Sequence, residues 1–290
     1  RSAQAGLSHR RQHLTSKQYT EGREGGGGFL RKLPFNLKLI IWPLLVVIIL
    51  AAGYLSYTSL AALIQFRTVP FPGMQVEPIV HVNWEGNKKM TILLIGADQV
   101  DQDHIFVDSL AIYSLDPAGN KLAVFVVNPD LKIFQPSVGK EINYRSIFND
   151  KKLTGNKLLI LINSVESLLA LKIDRYVMID KAKLANFSQY LNPVKIDLKT
   201  AVHDNDTAYL PAKKCIFWDK GTQTVLPVNF LEFAASDSNG RDDQLGRQQQ
   251  LLEQVTFNLF SFRTIFTIPQ LLNELNKNIY TDLTPTEVYL

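Results

Sequence analysis

Met90-Thr91-Ile92-Leu93-Leu94-Ile95-Gly96 is a nearly unbroken apolar run that stops at a glycine. A run this short, closed by Gly, reads as a central strand covered on both faces of a sheet. Two more such runs, Ser109 to Leu115 and Leu122 to Val127, are joined by Asp116-Pro117-Ala118-Gly119-Asn120, whose Pro, Gly and Asn favour a turn. These three strands are expected to form the heart of one sheet.

Downstream the period changes. Leu158, Leu161, Ile162, Val165, Leu168 and Leu169 fall at helical spacing between Lys157 and Leu169, and Arg175-Tyr176-Val177-Met178-Ile179 follows as a strand. A helix fits Lys181 to Leu191, stopped by Asn192-Pro193, and Val194 to Leu198 returns as an alternating strand. Phe230 to Ala235, Gln248 to Phe260 and Ile268 to Leu275 read as later helices. Helices interleaved with strands give an α/β class with a sheet flanked by helices. Thr284-Pro285-Thr286-Glu287 is a capping box with Pro at the first helical position, three residues short of Leu290, so a longer natural chain is expected.

Upstream of the sheet the chemistry is different. From Leu39 to Ile64 no residue is charged, and about 20 apolar residues span a bilayer core. Pro43 is placed in the first turns of that segment, and Trp42, Tyr54 and Tyr57 sit where interfacial aromatics belong. Arg10, Arg11, Lys17, Arg23, Arg31, Lys32 and Lys38 precede it, opposed only by Glu21 and Glu24. The positive-inside bias predicts a single-pass plasma-membrane protein with its N-terminus cytoplasmic and its C-terminal part extracytoplasmic. The organisation expected is a basic tail at residues 1–38, a transmembrane helix at 39–64, a linker at 65–82 containing Val69-Pro70-Phe71-Pro72-Gly73, and an external domain at 83–290. A cleaved signal peptide is the rival reading, but its apolar core is shorter, about 7–15 residues.

The formal charge of +4 over 290 residues is concentrated in that tail, which argues for a membrane flank and against a nucleic-acid groove. A single cysteine, Cys215, excludes an internal disulfide and is expected to be a small buried hydrophobe. His9, His13, His81, His104 and His203 are scattered, and His-Glu-x-x-His, Cys-x-x-Cys, Gly-x-Ser-x-Gly and the Gly-rich phosphate loops are missing. Zinc hydrolysis, serine-hydrolase chemistry and hydride transfer therefore lack their usual marks.

Acids at strand ends remain. Asp98 follows the first strand, Asp108 opens the second and Asp130 follows the third. If the strands are neighbours, these carboxylates meet at one edge of the sheet, where α/β proteins commonly bind ligands. Such a group suits a hard cation such as Mg²⁺ holding a phosphate, with Asp98 and Asp108 as its ligands; the plainer alternative makes Asp98 and Asp130 turn formers and caps. A polar stretch from Asp237 to Gln250 contains Arg241, Arg247 and Gln249. Arg near a helix N-terminus opposes the dipole, so Arg247 is better explained if it faces an anion or an acid.

The order of these features resembles the LytR-CpsA-Psr family of cell-wall glycopolymer transferases. Asn83-Trp84-Glu85-Gly86 and Ile92 to Asp98 look like its opening strand, Asp108-Ser109-Leu110 like its second acidic motif, and Asn128-Pro129-Asp130 stands where a Pro-Arg-Asp motif is expected. Glu141-Ile142-Asn143, Arg175 to Asp180, Arg247-Gln248-Gln249-Gln250-Leu251-Leu252 and Thr281-Asp282-Leu283-Thr284 complete the series. The resemblance implies a mixed central sheet flanked by helices behind one transmembrane helix. It also implies transfer of a polymer from a polyprenyl-pyrophosphate carrier to peptidoglycan or another wall acceptor. On this basis the catalytic candidates are Asp98, Asp108, Asp130 and Arg247, the phosphate ligands Arg241, Arg247 and Gln249, and the metal ligands Asp98 and Asp108, with Mg²⁺ as cofactor. No nucleic-acid partner is expected.

The departures bear on activity. Phe106 and Pro129 stand where family arginines are expected, and Ala234-Ala235-Ser236 replaces an Arg-x-Arg pair. Each charge-assisted hydrogen bond lost costs about 1.5–3 kcal/mol. A weakened transferase and a non-catalytic binder of polyprenyl phosphate or wall polymer therefore stand side by side as expectations, with an unrelated tethered receptor as a third.

Overall fold

The structure, a computed structural model, describes residues 35–65, 84–98, 105–136, 139–204, 216–259 and 267–289. The expectations for the tail before residue 35, the linker, Cys215, His81, His104, Asn83 and the side chain of Trp42 lie outside the described residues.

Helix α1 runs from Phe35–Gln65, and its stretch Pro43–Ile64 has a mean hydropathy of 2.0 over 22 residues, so it is long and apolar enough to cross a membrane. It begins four residues before the expected Leu39. Pro43 therefore lies in the helix interior rather than the first turns, where its ring removes one intrahelical hydrogen bond. The chain divides within this helix into two units, Arg1–Ala52 and Gly53–Leu290.

The larger unit continues with strands β1 (Met90–Asp98), β2 (Phe106–Asp116), β3 (Lys121–Val127), β4 (Lys132–Gln135) and β5 (Lys140–Asn143), then a 3-10 helix at Tyr144–Asn149. Helix α2 (Lys157–Leu169), β6 (Arg175–Asp180), α3 (Lys181–Ser188), β7 (Val194–Leu198), β8 (Val202–Asp204), β9 (Ile216–Trp218) and β10 (Gly221–Val225) follow. The chain closes with α4 (Phe230–Ala235), α5 (Arg241–Leu259), α6 (Ile268–Asn278), β11 (Ile279–Thr281) and α7 (Pro285–Tyr289). Five strands make one sheet in the order β11-β6-β1-β2-β3. Strand β1 is parallel to β6 and antiparallel to β2, so the sheet is mixed, as the resemblance implies.

The two sheet faces are covered differently. Leu93, Ile95 and Ala97 of β1 and Val107, Leu110 and Ile112 of β2 pack with Leu158, Leu161, Ile162 and Val165 of α2 in one continuous core. Burying each such side chain contributes about 1.5–3 kcal/mol. Helix α2 starts where expected because Asn156 Oδ1 accepts from the amides of Leu158 and Leu159 at 3.1 and 3.2 Å. The opposite face looks toward α3, α4 and α5. There a second core joins Val194, Ile196 and Leu198, the alternating inward residues of β7, to Phe230, Phe233 and Leu251.

Three later helix boundaries also differ from expectation. Helix α5 begins at Arg241, not Gln248: Gly240, with φ +90°, closes the preceding turn, and Asp242 and Asp243 in the first turn suit the helix dipole. Helix α3 ends at Ser188, and Tyr190 and Leu191 turn back by donating to Phe187 and Ser188 carbonyls at 3.0 and 3.2 Å. Helix α6 runs past Leu275 to Asn278. The capping box forms as expected, with Thr284 N–H donating to Glu287 Oε2 at 2.9 Å and Glu287 N–H to Thr284 Oγ1 at 3.3 Å.

Candidate functional site

The pairing of β1 with β2 slips by one residue. Gly96 faces Ser109 and Ala97 faces Val107, so Asp108 has no partner on β1 and is the extra residue of a β-bulge. Val107 and Leu110, three apart, therefore both reach the α2-side core, and Asp108 and Ser109 are both turned to the other face, where they line a cavity. The bulge is the device that aims Asp108. Glycine suits position 96, opposite Ser109, because a Cβ there would come within 2.2 Å of Ser109 Oγ and force that hydroxyl to rotate.

Both oxygens of Asp108 are engaged. Oδ1 lies 3.0 Å from Arg145 Nη1, and Oδ2 lies 3.0 Å from Lys181 Nζ. Arg145 also donates through Nε to Asp130 Oδ1 at 2.7 Å, and Arg241 Nη2 lies 2.9 Å from Asp130 Oδ2. The hydrogen bond from Arg145 keeps the Asp130 carboxyl below its ordinary pKa, with the charges of Arg145 and Arg241 acting in the same direction against partial burial. Two carboxylates and three cations thus form one continuous chain of ion pairs from α3 to α5.

Local structure fixes each member. Asn143 caps the 3-10 helix by accepting from Ser146 N–H at 3.0 Å, Tyr144 and Ile147 anchor that helix in the core, and Arg145 N–H donates to Pro129 O at 2.9 Å. Arg145 is thereby tied to the turn that carries Asp130. Lys181 is the first residue of α3, directly after β6. Arg241 opens α5, and its Nη1 donates to Gln244 Oε1 at 2.6 Å.

This ionic patch is one part of the wall of a cavity of about 580 Å³. The sheet supplies Leu94, Leu110, Ala111 and Val126; the helices supply Leu184, Phe230, Leu251, Leu252 and Val255. Ala234 and Ala235 also line it, and Ala234 stands at the first arginine position of the expected Arg-x-Arg pair, so a methyl group extends the apolar wall where that guanidinium is missing. Asp237, from the α4–α5 connection, adds a further carboxylate. The volume lies within the range of small-molecule pockets, and the combination of apolar walls with a compact charged patch fits an amphiphile.

Of the residues expected at the site, Asp108, Asp130 and Arg241 are brought together. Asp98 ends β1 opposite Phe106, on the strand face shared with Leu94 and Gly96, but it is not among the cavity's lining residues. Arg247 is only 2% exposed and does not line the cavity. Its guanidinium donates to Asp243, to Ser236 O and, at 3.4 Å, to Phe233 O, and it sits 5.8 Å from the Phe233 ring. It faces an acid and the orphan carbonyls at the end of α4, the second half of the expectation that it meets an anion or an acid. Gln249 donates to Glu253 Oε1 at 3.0 Å and also lies away from the cavity lining. Arg145 and Lys181 were missed by sequence reasoning. The signal for Lys181 was present: a Lys at the first position of a helix opposes the dipole, the argument applied to Arg247.

The Mg²⁺ expectation can be tested against the donor set. Magnesium takes near-octahedral oxygen ligation at about 2.1 Å. Each Asp108 oxygen already holds a cation at 3.0 Å, so a metal there would share its oxygen with Arg145 or Lys181 and sit beside that positive charge, and Asp98 lies outside the cavity lining. Among the described residues no group of three or more His, Cys, Asp and Glu side chains is placed to hold a metal ion. The described residues as arranged do not fit the two-aspartate magnesium site that the resemblance implies.

Comparison with known proteins gives the same family as the motifs. A model of the LytR_cpsA_psr family matches residues 69–289. A polyisoprenyl-teichoic acid--peptidoglycan teichoic acid transferase TagU from Oceanobacillus iheyensis is 26% identical over 264 residues, 87% of this chain and 78% of the relative. Among solved structures, TagV of B. subtilis superposes with a TM-score of 0.57 at 19% identity, over 70% of this chain and 77% of that one. A structure described as TagT bound to LIIa-WTA gives 0.56 at 15% identity, over 77% of this chain and 80% of that one. These structural likenesses show the fold.

Proposed function

The chain belongs to the LytR_cpsA_psr family, and from that premise we propose that it is a membrane-anchored transferase that moves a cell-envelope polymer from a polyprenyl-pyrophosphate carrier to peptidoglycan or another wall acceptor. The observation that carries the reading is the joining of an apolar cavity to a patch holding Arg145, Lys181 and Arg241. Prenyl groups would lie against Leu94, Leu184, Leu252 and Val255, each buried methylene contributing about 0.8 kcal/mol. The pyrophosphate would meet the three cations, each charge-assisted hydrogen bond adding about 1.5–3 kcal/mol. The relative from Oceanobacillus iheyensis bears a name that describes such a transfer.

Chemically, the acceptor hydroxyl attacks the phosphorus that carries the polymer, the bridging P–O bond to the carrier phosphate breaks, and the carrier leaves as a polyprenyl monophosphate that takes up the hydroxyl's proton. Arg145, Lys181 and Arg241 stabilise the charge that builds on the phosphoryl and leaving oxygens. Asp108 and Asp130 position those cations, since each carboxylate holds two of them. The Lys/Arg excess before α1 supports a cytoplasmic N-terminus with the α/β domain outside, beside the wall.

The test is a transfer assay with the purified full chain in detergent, a polyprenyl-pyrophosphate-linked polymer and peptidoglycan. Polymer attached to peptidoglycan with release of polyprenyl monophosphate supports the reading. Carrier binding without turnover would contradict it in favour of a scaffold, the outcome that Phe106, Pro129 and Ala234 make specific to this chain.

A further inference from the structure

Asp108 and Lys181 sit at the point where a divalent cation would be expected to join the protein to a pyrophosphate. Lys181 Nζ is 3.0 Å from Asp108 Oδ2, its side chain is 15% exposed, and both residues line the cavity. We propose that the Lys181 ammonium, held by Asp108 and flanked by Arg145, is a built-in replacement for that cation, so that the site takes its pyrophosphate lipid without a divalent metal. The inference rests on the function proposed above and specifies how the same site grips its ligand.

Three observations lead to it. The first is occupancy of the carboxylate: Arg145 and Lys181 take one oxygen of Asp108 each, at 3.0 Å, so a metal ligated there would share its oxygen with a cation and meet that cation's repulsion. The second is charge. Arg145, Lys181 and Arg241 line the cavity with Asp108, Asp130 and Asp237, three positive groups against three negative, so its carboxylates are already balanced without a dication. The third is position. A lysine at the first position of α3 opposes the helix dipole, yet its ammonium is held on the strand β2 bulge, where an ordinary surface lysine would be solvated. An ammonium so placed supplies a fixed positive charge and up to three donors to phosphate oxygens.

The experiment measures binding of farnesyl pyrophosphate to the full chain in detergent micelles by calorimetry, once in EDTA and once in excess Mg²⁺. The wild type is expected to bind with affinities within about twofold of each other in the two buffers. Lys181→Met is expected to lose about tenfold in EDTA, to recover in Mg²⁺ because no cation then competes at Asp108 Oδ2, and to keep its unfolding temperature; Lys181→Arg keeps metal-independent binding. A wild-type affinity that falls tenfold or more in EDTA overturns the inference while leaving the proposed function intact, as does a Lys181→Met variant that binds like wild type in EDTA. No binding in either buffer overturns the pyrophosphate-lipid reading and this inference with it.

Discussion

Gly96 lies across the sheet from Ser109 so closely that a Cβ on Gly96 would stand 2.2 Å from the Ser109 hydroxyl oxygen and 3.5 Å from its Cβ. Only the hydroxyl is in the way, and it can rotate. Gly96→Ala is therefore expected to cost on the order of 1 kcal/mol through an off-preference Ser109 rotamer. Most of that cost should disappear in Gly96→Ala/Ser109→Ala, because the colliding atom is gone. Chemical denaturation of the two single variants and the double variant closes the cycle; additive losses would mean that the contact is not the reason for glycine.

Arg247 and Arg241 are separated by less than two helical turns but are expected to behave differently. Arg247→Ala removes a buried guanidinium that satisfies Ser236 O and pairs with Asp243, and should destabilise by about 3–5 kcal/mol. Arg241→Ala removes a partly exposed group and should leave the unfolding temperature within a few degrees while weakening pyrophosphate-lipid binding about tenfold. Thermal unfolding and lipid binding measured on both variants check the assignment. Loss of binding in a stable Arg247→Ala would reverse it.

Much of this was legible in the sequence and the limits have physical causes. The apolar runs at Met90, Ser109 and Leu122 became adjacent strands, and the spacing of Leu158, Leu161, Ile162 and Val165 gave α2 its bounds, because burial of a whole face decides those elements. Strands β4, β5, β8, β9, β10 and β11 are three to five residues long and carry too few residues to show a period. At the site, Asp108, Asp130 and Arg241 were readable as charged residues beside strand ends and a helix start. Arg145 was not, since it sits in a short 3-10 helix whose approach to Asp130 depends on one backbone hydrogen bond to Pro129. Arg247 was misplaced toward the ligand because the sequence cannot show that α4 ends beside it.

Arg175 and Glu287 form a two-bonded ion pair with both side chains 3% exposed, joining β6 to α7. Glu287→Ala leaves a buried guanidinium without its partner and should cost about 3–5 kcal/mol, seen as a drop of roughly 10 °C in Tm for a domain of this size. Arg175→Met/Glu287→Leu together should recover much of that loss. A single variant as stable as the wild type would show that the pair contributes little.

Asp282 adds a pH dependence. Burial raises its carboxyl pKa to about 6, against a hydrogen bond from Tyr176 N–H and the charge of Arg175. Its folded pKa lies above the ordinary 3.8, so the stability it contributes is full below pH 4 and is lost as pH rises through about 6. The loss approaches about 3 kcal/mol. Asp282→Asn, which keeps an acceptor for Tyr176, should match the wild type in Tm near pH 4 and exceed it above pH 7. Equal melting temperatures at both values would contradict the assignment.

The central claim, that one cavity holds a prenyl chain against apolar walls and its pyrophosphate against Arg145, Lys181 and Arg241, is tested most directly by a crystal structure of the chain with farnesyl pyrophosphate. The account predicts difference density for two phosphates within hydrogen-bond reach of those three side chains and a prenyl tail running between Leu94 and Val255. Phosphates bound elsewhere, or a cavity that stays empty at saturating ligand, would contradict it.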